Sequence, residues 1–264
     1  MSTSASSTLG DRTRVHAPGW LPLMLEARAP WEYAAGLAAL PLLHRLPPGD
    51  GHPVLVLPGL GASDASTAPL RRFLQRLNYA ASGWGLGTNH GPRRELLQGC
   101  RDLLQDMAAR HRAKVSLVGW SLGGVYAREM AKQFEPLTRC VITLGTPFAG
   151  HFHATNVARL RRWLGQPDPL PDTETEARLK RAPNVPTTSI YSRSDGVVAW
   201  QCSLNDDLPH TENVEIQASH LGMGMHPLAF AVIADRLQQD PAHWQRFDGG
   251  RLGRRWMAHA AGVR

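Results

Sequence analysis

Between Val118 and Gly124 the chain reads Val-Gly-Trp-Ser-Leu-Gly-Gly. Ser121 stands two residues from a glycine on either side, Gly119 and Gly123, where an apolar run ends. That spacing fits a tight strand-to-helix turn, and it equally fits a nucleophile presented on a strained elbow. A serine hydroxyl reacts only when a base takes its proton and an acid orients that base. In the elbow arrangement both come later in the chain, in the order Ser, acid, His. Asp195, in Arg193-Ser-Asp-Gly-Val-Val198, follows the apolar run Thr187–Ser192, and His220 follows the run Val214–Gln217. Ser121, Asp195 and His220 are therefore the candidate catalytic set, and the chemistry they would perform is acyl transfer through a covalent acyl-enzyme. Asp195 also reads as an ordinary Asp-Gly turn. Asp206 and Asp207 compete with it as acids. His226, before Pro227, suits a helix start and is a candidate pocket residue.

Acyl transfer also needs donors for the oxyanion that develops on the carbonyl oxygen. One expected donor is the backbone N–H of Leu122, the residue after the nucleophile. The other is expected from Pro58-Gly-Leu-Gly61, with Leu60 the best candidate. The alternative for that segment is a plain glycine-rich turn. Trp84 and Trp120 flank the expected site in sequence and are candidates for an apolar substrate pocket, with core packing the competing reading.

These residues need a scaffold. Pro53–Leu57, Lys114–Val118 and Cys140–Leu144 are short continuous apolar runs, as in strands buried on both faces. Tyr79–Ser82, Thr187–Ser192 and Val214–Gln217 complete the predicted strands. Helical spacing occurs over Arg93–Arg110, and helices are predicted over Pro69–Leu77, Leu122–Phe134, Thr173–Arg181 and Pro227–Gln239. Strands alternating with helices predict an α/β fold with a mostly parallel central sheet covered on both faces. The expected divisions are an N-terminal arm with an apolar helix (1–50), a core (51–150 and 187–245), an irregular cap or lid insertion (151–186) and a basic C-terminal tail (246–264).

Four segments carry a resemblance. LPGLGAS (57–63) resembles the oxyanion loop of lipases, with Pro58 where they carry His. ITLGTPFAG (142–150) resembles their Gly-Thr-Pro segment, and SRSDGVV (192–198) and ASHLGM (218–223) resemble their acid and base loops. The chain thus resembles the α/β-hydrolase superfamily, and within it bacterial lipases and esterases, over about residues 52–240. The resemblance implies an α/β-hydrolase fold with a small cap, cleavage of carboxylic (acyl) esters, a small-molecule ester or lipid substrate, and no cofactor or metal. The same triad would serve an acyltransferase or thioesterase. A non-catalytic binding protein on this fold is the reading from another class, and it has no need of all three residues.

Composition narrows the rest. With 264 residues and 42% apolar residues, the chain can bury a sizeable core. The formal net charge of +7 favours anionic surfaces. The arginines are scattered and no nucleic-acid-binding motif is present, so no nucleic-acid partner is expected. Three widely spaced cysteines show neither a disulfide framework nor metal-ligand spacing. His151 and His153 lack further ligands nearby, and Gly85-Leu-Gly-Thr-Asn-His90 lacks the third glycine of a dinucleotide loop. The first 16 residues have no signal-peptide pattern, and the apolar stretch Trp31–Leu46 is shorter than a membrane span. The expectation is a cytoplasmic protein whose apolar segment packs on the body, with peripheral membrane contact the minority reading.

Overall fold

The computed structural model describes residues 15–150, 155–156, 172–250 and 253. Side chains alternate across a strand, and in β1 (Pro53–Leu57) both sets are apolar and buried. Val54 and Val56 face a layer built by α2 (Ala29–Leu43), α3 (Asp64–Arg76) and α7 (Pro227–Leu237). Leu55 and Leu57 face a layer built by α4 (Arg94–His111) and α5 (Leu122–Gln133). The same alternation divides β4 (Thr138–Leu144), where Ile142 and Leu144 join the first layer and Val141 the second. With β2 (Ala80–Gly83), β3 (Val115–Trp120), β5 (Thr187–Tyr191) and β6 (Thr211–Glu215), these strands form one sheet in the order β2-β1-β3-β4-β5-β6. Every pairing is parallel.

The chain winds outward from β1 to β2 and then returns to place β3 on the other side of β1. The loops after β1 and β3 therefore diverge at the C-terminal edge of the sheet and leave a crevice, the place where open α/β sheets bind ligands. Pro58–Gly61 and Ser121 lie on those two loops.

Three element boundaries differ from the sequence expectation. α3 begins at Asp64, not Pro69. Ser63 caps it by accepting from the Ala65 N–H, and Arg71 donates to the Asp64 carbonyl at 2.6 Å, so Pro69 sits inside the helix. β6 spans Thr211–Glu215, not Val214–Gln217. Its polar start is buried because Glu212 accepts from Arg236 at 3.0 Å and from the Thr188 hydroxyl at 2.6 Å, which an apolar pattern does not register. The N-terminal helices begin before the apolar stretch at 31: α1 (Trp20–Leu25) precedes α2.

α2 packs on α7 and on the turn Met223–Met225. The outer side of the arm exposes Trp20, Leu21, Met24, Trp31 and Leu37. No helix among the described residues is long and apolar enough to cross a membrane. Of the expected cap, only Thr155, Asn156 and the end from residue 172 are described, including α6 (Thr173–Lys180). His151 and His153 lie outside the described residues, as does most of the tail expected after 246.

Candidate active site

β3 runs directly into Ser121, whose backbone has φ 53° and ψ −123°. For a residue with a Cβ, such a conformation costs on the order of 1–3 kcal/mol. The surroundings impose it. The Ser121 N–H donates to the Leu144 carbonyl at 2.8 Å, and the Gly124 N–H donates back to the Ser121 carbonyl at 3.0 Å. The two glycines are a packing requirement. A Cβ on Gly119 would collide with the backbone of Gly124, and one on Gly123 would collide with the carbonyls of Leu57 and Pro58. The result is a serine held off the sheet edge at the N-terminus of α5, where the helix field favours negative charge.

His220 meets this serine. Its Nε2 lies 3.0 Å from Ser121 Oγ, and its Nδ1 lies 2.7 Å from Asp195 Oδ2. Asp195 is 4% exposed and His220 5%. The other oxygen of Asp195 accepts the N–H groups of Val197 and Val198, both at 2.8 Å, which fixes the carboxylate toward the ring. Burial pulls the His220 pKa down, but the Asp195 charge and hydrogen bond, with the charge of Glu26 added, outweigh it and the net shift is upward. Trp120 sits beside the ring and donates from its indole N–H to the His220 carbonyl at 3.2 Å. The competing acids are elsewhere: Asp206 pairs with Lys180 and Asp207 with Arg246, both exposed.

The loop Pro58–Gly61 packs against this point. A Cβ on Gly59 would stand 3.2 Å from the Ser121 Cβ, so glycine permits the approach. Buried Asn89 pins the loop. Its side-chain N–H donates to the Pro58 carbonyl at 2.9 Å, its backbone carbonyl accepts the Gly61 N–H at 2.7 Å, and its own N–H donates to Ala62 at 2.8 Å. Among the described residues, the backbone N–H of Leu60 has no hydrogen-bond partner. Leu122 is the first residue of α5, so its N–H has no intrahelical acceptor. An open groove of about 540 Å³, lined by Leu86 and Leu96 together with Thr88, His90, Arg93 and Glu95, runs past Gly91, which the Leu60 side chain approaches.

Two of the expected pocket residues have other partners. Trp84 is 1% exposed, stacked on Tyr126 and bonded through its indole N–H to the Gly87 carbonyl, so it belongs to the core layer under α4 and α5. His226 caps α7 by accepting from the Leu228 N–H, and burial lowers its pKa despite the nearby Glu32 charge.

Sequence reasoning missed Asn89, Glu26, Arg28 and Glu32. Asn89 lies in a segment set aside as a dinucleotide loop and better read as a pocket wall, which gives the asparagine itself no role. Glu26 is 7% exposed with its carboxylate behind the loop that carries His220, and Glu32 accepts from Ser219 beside it. A carboxylate inside the apolar stretch of an arm is the signal that could have found them, because such a group is buried only where donors await it. Among the described residues, no group of three His, Cys, Asp or Glu side chains is placed to hold a metal ion.

No protein-family model matches the chain, and no curated protein sequence matches it. Solved structures do match. Aspergillus fumigatus lipase B superposes with a TM-score of 0.58 at 19% identity, over 78% of this chain and 56% of that one. This chain therefore spans little more than half the length of that lipase. The mature form of Bacillus licheniformis lipase BlEst2 gives 0.56 at 18% identity, over 73% of this chain and 94% of that one. An α/β superfamily hydrolase from Oenococcus oeni gives 0.51 at 18% identity, over 72% and 94%. The fold is that of the α/β hydrolases.

Proposed function

We propose that this protein is a serine hydrolase of carboxylic (acyl) esters, of lipase or esterase type. The observation that carries the reading is one histidine joining Ser121, strained at φ 53°, to the buried Asp195. His220 Nε2 takes the Ser121 proton as Oγ attacks the ester carbonyl carbon. The carbonyl electron pair moves onto oxygen, where the free N–H groups of Leu60 and Leu122 receive it. The tetrahedral species collapses, the bond to the alcohol oxygen breaks, and that oxygen leaves with the proton from His220. Water then gives its proton to His220 and attacks the acyl-enzyme. Collapse releases the acid and returns the proton to Ser121. Asp195 keeps His220 in the tautomer that can accept at Nε2 and stabilises its cation. No step calls for a metal or organic cofactor.

Treatment with a fluorophosphonate, mapped by mass spectrometry, together with turnover of p-nitrophenyl esters of rising chain length, tests this. We expect label on Ser121 and no turnover by Ser121→Ala. An unlabelled Ser121 in folded protein, or full activity in Ser121→Ala, overturns it. Alcoholysis or thioester cleavage outrunning ester hydrolysis would instead favour an acyltransferase or thioesterase on the same residues.

The arm supports a second part of the proposal, peripheral contact with an anionic bilayer. Trp20 is 75% and Trp31 78% exposed, beside exposed Leu21 and Met24. Indole rings suit the headgroup region, and a chain of net charge +7 complements anionic lipid.

A further inference from the structure

Asp195 and His220 reach Ser121 on separate loops, one after β5 and one after β6. For the triad to work, these loops must hold a fixed separation. Part of the tie is local. Ser192 Oγ accepts from the Ser194 and Ala218 N–H groups, both at 3.2 Å, and Ser194 Oγ donates to the Ala218 carbonyl at 3.3 Å. The remainder comes from a distant part of the chain. Glu26 Oε1 accepts the N–H of Gly196, next to Asp195, at 2.8 Å. The same oxygen accepts the N–H of His220 itself at 2.8 Å, and Oε2 accepts the N–H of Leu221 at 3.0 Å. One carboxylate thus spans both loops. Among the described residues no cation pairs with it, so its burial is compensated by three backbone donors rather than by an opposite charge.

Glu32, six residues further on in α2, repeats the device. It accepts the Ser219 N–H at 2.9 Å and also bonds the Ser219 hydroxyl. Arg28 holds Glu32 at 2.9 Å and donates to Ser194 Oγ at 2.6 Å, which brings the acid loop into the same network. The backbone of Pro22 and Leu23 lies so close over Gly196 that a side chain there would not fit.

We propose that the N-terminal arm is part of the catalytic apparatus, and that Glu26 is a positioning residue that clamps the Asp195 loop to the His220 loop and holds negative charge behind the imidazole. This rests on the ester-hydrolase reading of Ser121. It assigns work to a segment that otherwise reads as an accessory helix. The charged and titratable groups around His220 are Asp195 on its loop, Glu26, Glu32 and Arg28 on the arm, and His226 at the start of α7. Of these, Asp195 and Glu26 are the two that raise the His220 pKa. Loss of the Glu26 charge therefore lets His220 stay neutral to lower pH.

The test compares wild type, Glu26→Gln and Glu26→Asp, with active sites counted by fluorophosphonate titration so that unfolded protein does not enter kcat. Glu26→Gln keeps the size, loses the charge and turns an NH2 toward backbone donors. We expect kcat per titrated site to fall about tenfold or more from the displaced His220, KM to change little, and the acid limb of the kcat/KM profile to move to lower pH. Glu26→Asp keeps the charge but withdraws the carboxylate by one methylene, so kcat should fall while the limb stays. A merely structural role would lower Tm and the titratable fraction and leave per-site kcat and the limb unmoved; that result overturns the proposal. If Glu26→Gln does not fold, wild-type per-site kcat in Glu26→Asp overturns it alone. Failure of the underlying reading looks different, because Ser121→Ala would then keep its activity.

Discussion

Gly145 → Ala is the sharpest probe of the site, because the methyl group would press on the bond between base and acid. Gly145 follows β4 with φ 54°, and a Cβ built on it stands 3.0 Å from His220 Nδ1 and 3.1 Å from Asp195 Oδ2. Ordinary contact begins near 3.4 Å, so the histidine–aspartate pair must yield by a few tenths of an ångström. Left-handed backbone alone costs an alanine about 1–2 kcal/mol, which lowers Tm by roughly 2–8 °C for a protein of this size. A misplacement of 1 Å at a reacting centre costs about 10²-fold, so a shift of a few tenths predicts roughly a five- to tenfold loss of kcat per titrated site. Gly85 → Ala is the control. Its φ is 69° and nothing lies within 4 Å of its added methyl, so it bears backbone strain without crowding. Thermal melts and p-nitrophenyl ester turnover, normalised to fluorophosphonate titre, should show both variants destabilised and only Gly145 → Ala slowed. Equal loss of kcat in both, or none in Gly145 → Ala, would refute the argument that the methyl acts through the His220–Asp195 contact.

Asp195→Asn should lower kcat on the order of 10⁴-fold at neutral pH, because an amide favours the wrong His220 tautomer, while Asp206→Asn and Asp207→Asn stay near wild type. The surface pairs of those two residues place them outside the site. In wild type the acid limb of kcat/KM should lie above the ordinary histidine value of 6.5, with activity lost as pH falls through the raised His220 pKa; a limb below 6.5 contradicts the site electrostatics. For the arm, co-sedimentation with phosphatidylglycerol vesicles should weaken in Trp20→Ala/Trp31→Ala and with added salt. Binding unchanged in that double variant would remove the bilayer from the proposal.

Legibility followed range in the chain. The parallel sheet was readable because β1, β3 and β4 are mostly apolar and bury side chains on both faces, a pattern local to five to seven residues. The strand-to-helix turn at Ser121 was readable because the glycines that it needs lie two residues away. β6 was misread because Glu212 is buried through Arg236, which lies 24 residues further on. The sequence left Trp84 open between pocket and core, because distance along the chain says nothing about which face of the sheet a side chain takes. Glu26 was invisible for the same physical reason on a longer scale. Its three donors are backbone amides some 170 to 195 residues away, and backbone amides carry no sequence signature.

The chain contains a second aspartate–histidine–serine series, which differs from the first in its place on the sheet. Asp50 bonds His52 Nδ1, and His52 Nε2 lies 2.8 Å from Ser116 Oγ. The hydrogen-bond order is that of Asp195, His220 and Ser121. Ser116, however, lies inside β3 with none of its surface exposed, paired on either side with Val54 and Cys140. A substrate carbonyl cannot reach a hydroxyl so enclosed. Burial lowers the pKa of both histidines, but the net shifts are opposite: His52 ends lowered, because desolvation outweighs Asp50 and Arg139 adds to it, whereas His220 ends raised by the Asp195 and Glu26 carboxylates. The His52 series satisfies buried polar groups at the N-terminal end of the sheet, and the His220 series stands at the C-terminal end where the strand order reverses. Position relative to that reversal, the strained elbow and the second carboxylate behind the ring set Ser121, the proposed nucleophile, apart from Ser116.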